Sequence, residues 1–299
     1  GISVSTAGDM NADGFADVIL GGDYLENGDT DEGRAFVYLG YSGGLNSGSA
    51  IIYESNQSSS EFGFSVATAG DINGDGFSDV IIGAHEYDNP STGEGAAFVY
   101  LGSATGMGTT PGWSAEVNQA SAYFGSSVST AGDVNGDGYS DVIIGANGYS
   151  SSTGKAYVYF GGASMNNTSD VTMTGEATYN SFGTSVSTAG DVNGDGYLDM
   201  IVGADEFSSD TGRTYLYLGS AISAKPILNY VKDVPNDQGG FVDLKWARSS
   251  FDVIGTNMIT DYVVQRSAPP VGGNFAWVNI AYIPATKEPF YSYFSNMPY

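Results

Sequence analysis

The chain has 299 residues, with 34 Asp+Glu against 9 Lys+Arg, a formal charge of −25 and no cysteine. This balance leaves no basic patch to neutralise phosphates, so nucleic acid is excluded as a partner class. The lack of cysteine removes disulfides and thiol nucleophiles, and no apolar run is long enough to span a membrane as a helix.

The acidity is unevenly placed. Residues 1–224 hold 28 acidic and 3 basic side chains, whereas residues 225–299 hold 6 of each sign. The first region is built on a repeat. The loop Asp71-Ile72-Asn73-Gly74-Asp75-Gly76-Phe77-Ser78-Asp79 recurs from Asp9, Asp133 and Asp191, at spacings of 62, 62 and 58 residues. Each unit has the same parts in order. A Phe-Gly-x-Ser-Val-x-Thr-Ala-Gly stretch, as in Phe124–Gly132, comes first, and the loop follows. Next is an apolar run ending in Gly-Ala (Gly83-Ala84, Gly145-Ala146, Gly203-Ala204; Gly21-Gly22 in the first unit). A second apolar run (Phe36–Leu39, Phe98–Leu101) and a looser stretch with a fourth strand (around Ile51, Trp113 and Val171) complete it. Four short strands in about 60 residues predict a propeller blade. The continuously apolar runs predict a sheet covered on both faces.

Each loop reads D-x-N-x-D-G-[FY]-x-D. Side-chain oxygens fall at positions one, three, five and nine, and the seventh residue offers its carbonyl. A hard cation such as Ca²⁺ takes six to eight oxygens of this kind. An EF-hand begins the same way but needs a bidentate Glu at position twelve. Here that position is Leu20, Ile82, Ile144 or Val202, inside a strand-like run. One copy would read equally well as an Asn/Gly turn that binds nothing. Four copies retaining every Asp point to up to four Ca²⁺ sites. The expected ligands are Asp9, Asn11, Asp13, the Phe15 carbonyl and Asp17. The other copies supply Asp71, Asn73, Asp75, Phe77 and Asp79; Asp133, Asn135, Asp137, Tyr139 and Asp141; and Asp191, Asn193, Asp195, Tyr197 and Asp199.

No catalytic residue is expected. A cation-bound carboxylate is held ionised and is a poor general acid or base. His85, the sole histidine, reads as a surface or turn residue. Phe62, Phe124 and Phe182 read as filling space between blades. The aromatics after each Gly-Ala or its equivalent (Tyr24, Tyr87, Tyr149, Phe207) read as packing within their blades rather than as a ligand-binding ring.

The Phe-Gly, the D-x-N-x-D-G-x-x-D loop and the Gly-Ala together resemble FG-GAP repeats, the blades of integrin α-subunit propellers and of many bacterial surface proteins. The resemblance implies a calcium site in the hairpin between the first and second strands of each blade. Two departures stand out. Asp23, His85, Asn147 and Asp205 replace the proline that often follows Gly-Ala, and Ala12 stands where the other loops have Gly74, Gly136 and Gly194. Propellers of this family usually have seven blades. The four repeats of residues 1–222 therefore suggest part of a larger ring, with upstream blades missing.

The repeat stops after Gly219, and Ser220–Lys225 reads as a linker. Alternating runs at Ile227–Val231, Phe241–Trp246, Thr260–Arg266 and Phe275–Ile280, with a turn at Pro235-Asn236-Asp237, predict a β-sandwich over residues 223–299. Leu244-x-Trp246 and Asp261-Tyr262-Val263-Val264-x-Arg266 resemble a fibronectin type III domain, which implies that Trp246 and Tyr262 are core residues. No later strands are evident before Tyr299, which suggests an incomplete domain.

The expectation is an all-β, non-enzymatic, extracellular module of a secreted or surface protein. Calcium would rigidify it for adhesion to a protein or glycan. The absence of disulfides favours a bacterial source. The alternatives are an accessory module of a secreted lipase or polysaccharide-degrading enzyme, and an architectural spacer.

Overall fold

The computed structural model describes the backbone of residues 1–104, 107–220, 228–233, 241–247, 261–271, 274–284 and 290–296, and side chains only before residue 221, those of 209 and 210 excepted. The chain divides into two compact units, Gly1–Ala221 and Ile222–Tyr299. Both are built of antiparallel strands.

The first unit is four blade sheets. The first blade pairs β1 (Ser3–Gly8), β2 (Asp17–Gly22), β3 (Arg34–Tyr38) and β6 (Ile51–Tyr53) in that order, with β4 (Gly40–Tyr41) and β5 (Gly44–Leu45) as a small side hairpin. The second holds β7 (Phe62–Gly70), β8 (Asp79–Ala84), β9 (Ala96–Tyr100) and β10 (Trp113–Glu116). The third holds β11 (Phe124–Gly132), β12 (Asp141–Ala146), β13 (Lys155–Tyr159) and β14 (Val171–Thr174). The fourth has three described strands, β15 (Phe182–Gly190), β16 (Asp199–Ala204) and β17 (Arg213–Tyr217). The four-strand period read from the sequence is thus the period of the fold.

Packing between blades explains the motif. All six residues of β8 and of β12 are buried, as expected for a sheet covered on both faces. Phe62, Phe124 and Phe182 are fully buried. Phe62 lies in one core with Ile19, Val37 and Tyr53 of the first blade and Val80 and Ile82 of the second, so it fills space between blades as expected. The Tyr53 and Tyr100 rings meet across that boundary at 4.0 Å between centroids. A Cβ on Gly83 would strike the Gly125 carbonyl of the next blade, so both glycines are fixed by close backbone approach. A serine ladder also joins the blades. Ser3, Ser65 and Ser127 Oγ accept the amides of Val66, Val128 and Val186 at 3.0–3.1 Å.

The second unit contains a three-stranded sheet, β18 (Leu228–Asp233), β19 (Phe241–Ala247) and β22 (Phe290–Asn296), and a hairpin of β20 (Asp261–Val271) and β21 (Asn274–Pro284). The described residues of the four predicted runs lie in strands. The sequence reading missed β22, which pairs along the whole of β19 from Phe241↔Asn296 to Ala247↔Phe290. Its Phe290-Tyr291-Ser292-Tyr293-Phe294 has only weak alternation, so the period-2 signal is faint there. The predicted linker beyond Ser220, the Pro235-Asn236-Asp237 turn and the side chains of Trp246 and Tyr262 lie outside the described residues.

Candidate functional site

The four acidic loops connect first to second strand in every blade: β1–β2, β7–β8, β11–β12 and β15–β16. They share one hydrogen-bond scheme, complete in three copies and one bond short in the first. In the second blade Asp71 Oδ1 accepts the amides of Gly74 and Asp75, and Oδ2 accepts that of Gly76, all at 2.7–3.1 Å. Asn73 Oδ1 accepts the Asp75 amide, and its Nδ2 donates to Asp75 Oδ2. Asp75 Oδ1 accepts the Phe77 amide. Positions one, three and five are thereby drawn to the inside of one tight turn. The carbonyl oxygens of Phe15, Phe77, Tyr139 and Tyr197 accept no donor among the described residues.

The ninth position differs in kind. Asp17, Asp79, Asp141 and Asp199 are completely buried. Asp79 Oδ2 accepts the Ile72 amide at 3.0 Å and Oδ1 accepts the Gly102 amide at 2.8 Å, from two different connections. The same pair of bonds recurs at Asp17, Asp141 and Asp199. Burial pushes the Asp79 and Asp141 carboxyls up to about 7, against the opposing pull of the amides they accept. Asp17 is raised for the same reason. This residue is therefore a pin for the blade as well as a loop oxygen, a role that spacing alone did not reveal. As the side chains stand, no three His, Cys, Asp or Glu among the described residues are gathered in a metal-holding geometry. The donor set itself, carboxylates, an amide oxygen and an unpartnered carbonyl in one turn, suits a hard cation.

Neighbouring loops are linked. The amide of Ser78 donates to the Asp9 carbonyl at 3.1 Å, Ser140 to Asp71 at 3.0 Å and Leu198 to Asp133 at 3.2 Å. Each donor belongs to the peptide group whose carbonyl is position seven of its own loop. One blade thus fixes the orientation of the candidate ligand carbonyl in the next.

Position four adopts positive φ in every copy: 77° at Gly74 and Gly136, 75° at Gly194 and 55° at Ala12. The three glycine amides donate to the first Asp at 2.6–2.7 Å. No such bond forms from Ala12, so the first loop has one hydrogen bond fewer than the others.

The far ends of the second strands carry Asp23, His85, Asn147 and Asp205. His85 is a turn residue, directly after β8, but it is largely enclosed. Its side chain is 15% exposed, its ring lies 3.9 Å from that of Phe64 and its Nδ1 is buried without a partner. Nε2 is 3.7 Å from Glu61, yet burial dominates and pushes the imidazole down to about 4. At neutral pH the ring is uncharged, and the contact with Glu61 is not an ion pair. Tyr87 packs edge-on against Phe98 at 5.5 Å, and Tyr149 and Phe207 lie under cations of their own blades. Within-blade packing holds for these three. It fails for Tyr24, which is 61% exposed. The equivalent residue in the first blade is Leu25, whose carbonyl accepts the Gly33 amide as Tyr87 accepts that of Gly95.

Comparison with known proteins agrees with this architecture. Residues 62–100, 124–159 and 182–217 match the FG-GAP repeat family. The chain is 37% identical to integrin alpha-4 of Xenopus laevis over 155 residues, covering 47% of this chain and 14% of that protein. It is 36% identical to integrin alpha-7 of Rattus norvegicus over 143 residues, covering 46% and 12%. It is also 36% identical to integrin alpha-PS5 of Drosophila melanogaster over 149 residues, covering 48% and 14%. The matches thus span about an eighth of the relatives' length. The first unit is a β-propeller-like assembly of blades, three of which are similar to FG-GAP repeats.

Proposed function

We propose that this chain is an extracellular calcium-binding adhesion module, in which Ca²⁺ clamps the first hairpin of each blade. The observation that carries this reading is the fourfold recurrence of one loop geometry. In each copy the oxygens of positions one, three and five face one turn, beside an unpartnered carbonyl at position seven. Asp9, Asn11, Asp13, Phe15 and Asp17, and their counterparts at 71–79, 133–141 and 191–199, would hold the ions. Bound cations would offset the mutual repulsion of three carboxylates per loop and stabilise the folded state by mass action.

The likeness to integrin alpha chains supports adhesion as the use of this scaffold. No step of the reading requires catalysis. The second unit, with its β18-β19-β22 sheet and β20–β21 hairpin, is proposed to be a fibronectin type III-like domain. Thermal melting in calcium and in EGTA, with bound metal counted by mass spectrometry, tests the clamp. Calcium should raise the melting temperature, and an unchanged temperature with no metal found would overturn it.

A further inference from the structure

The four buried carboxylates at position nine are joined in series by hydrogen bonds to and between backbone groups. Asp17 Oδ2 accepts the Met10 amide at 2.8 Å, and the Met10 carbonyl accepts the Ser103 amide at 2.8 Å. One residue earlier, the Gly102 amide donates to Asp79 Oδ1 at 2.8 Å. The other oxygen of Asp79 begins the next span. It accepts the Ile72 amide at 3.0 Å, the Ile72 carbonyl accepts the Gly162 amide at 2.7 Å, and the Gly161 amide donates to Asp141 Oδ1 at 2.9 Å. The third span repeats the pattern. Asp141 Oδ2 accepts the Val134 amide at 2.9 Å, the Val134 carbonyl accepts the Ser220 amide at 2.9 Å, and the Gly219 amide donates to Asp199 Oδ1 at 2.8 Å.

The crossing point of each span is tight. A Cβ on Gly102, Gly161 or Gly219 would collide with the position-eight carbonyl of its own blade's loop. It would also stand 2.7–2.9 Å from the position-two carbonyl of the preceding loop, so glycine is required there. Two contacts run in parallel with the spans. The position-one carbonyls accept the amides of Ser78, Ser140 and Leu198 from the next loop. The rings of Tyr139 and Tyr197, at position seven, lie where a Cβ on Gly74 or Gly136, position four of the preceding loop, would strike them. Each span ends on a position-nine carboxylate, and the parallel contacts reach position seven, so the links meet the expected ligands.

This series has an energetic consequence. Without a cation, the three carboxylates of a loop repel one another. Fixing Asp79 steadies the Gly102-Ser103 peptide, which holds the Met10 peptide, whose amide in turn sets Asp17. Part of the ordering that one loop needs is then met by its neighbour, and shared ordering of this kind gives positive coupling without a change of shape.

We propose that this relay couples the four loops, so that they fill with calcium in concert and the blades stiffen over a narrow range of calcium concentration. The proposal rests on the calcium reading of the loops and adds to it how filling is regulated. Couplings between linked sites typically change affinity about fivefold or more.

The test titrates the full chain with CaCl₂ at about 1 M salt, where the Debye length of about 3 Å leaves altered loop charge little reach. Equilibrium dialysis counts bound metal. The backbone amide resonances of Gly14, Gly76, Gly138 and Gly196, each of which donates to the first Asp of its loop, report the four loops separately. The four should shift along one common curve, with a Hill coefficient above one. Asp75→Ala removes a ligand of the second loop but no member of the relay. It should weaken filling at Gly14 and Gly138 by about fivefold or more. Ser103→Pro removes the amide that reaches Met10 and should take Gly14 off the common curve while Gly138 and Gly196 stay on it. If that variant does not fold, Asp75→Ala decides. Four independent curves, unchanged filling at Gly14 and Gly138 in Asp75→Ala, or a folded Ser103→Pro chain whose first loop still fills with the others would overturn the relay. Bound calcium with independent curves refutes the coupling alone, whereas no bound calcium and no shifts refutes the clamp and the coupling with it.

Discussion

The Ala12→Gly substitution isolates the one irregular loop. Ala12 holds φ at 55°, a region where a Cβ costs about 1–2 kcal/mol. Its three counterparts are glycines whose amides bond the first Asp at 2.6–2.7 Å. Restoring that bond to an exposed, charged acceptor adds roughly 0.5–1 kcal/mol. The greater freedom of an unfolded glycine removes about the same amount. The net gain is therefore about 1 kcal/mol, or about 2–4 °C in melting temperature for a unit of this size. Gly194→Ala is the mirror experiment, because its φ is 75° and nothing lies within 4 Å of the added methyl. It should lose about 1 kcal/mol through backbone strain alone. Gly74→Ala should lose more, since its Cβ would stand 2.6 Å from the Tyr139 ring of the next blade. Urea and thermal unfolding in EGTA measure all three without metal linkage. If Ala12→Gly is neutral and Gly194→Ala costs nothing, the positive-φ reasoning is wrong.

Two further predictions concern buried groups. Asp79→Ala leaves the Ile72 and Gly102 amides without their acceptor and should cost about 2–4 kcal/mol in EGTA. Asp79→Asn, which keeps one acceptor oxygen, should cost roughly half as much. Equal stability of all three proteins in urea titrations would show that the pin carries nothing. The lowered His85 pKa makes its contribution present above pH 6.5 and progressively lost as pH falls towards 4, because the unfolded chain takes up the proton first. The raised Asp79 and Asp141 act with opposite sign over the same range, so the comparison needed is wild type against His85→Asn. Their stability difference should shift against the wild type by up to about 3 kcal/mol between pH 7 and pH 4. A pH-independent difference would mean that the imidazole titrates normally.

Much of the first unit was legible because its signals are local and repeated. The loops, the strand bounded by Asp79 and Ala84, and the Phe62-Gly63 junction each follow from residue type at fixed spacing. Long-range register left weaker traces. Tyr24 was grouped with Tyr87 on the strength of its ring, but Leu25 has the equivalent backbone bonds; the chemical similarity pointed one residue off the structural position. His85 stands in a turn, yet Phe64 of β7 and Tyr123 of the connection between β10 and β11 close around it, which no local pattern reports. Of the two amides that Asp79 accepts, that of Ile72 is local, but that of Gly102 comes from 23 residues away.

The calcium clamp is tested most directly by counting the metal on the folded chain. Equilibrium dialysis against Ca²⁺, followed by mass-spectrometric metal analysis and melting of the same samples, gives stoichiometry and stabilisation together. Calcium should fill up to four loops per chain, with the Asp9–Asp17 copy weakest, and the melting temperature should rise with calcium concentration. A chain that retains no calcium and melts at the same temperature in EGTA would contradict it.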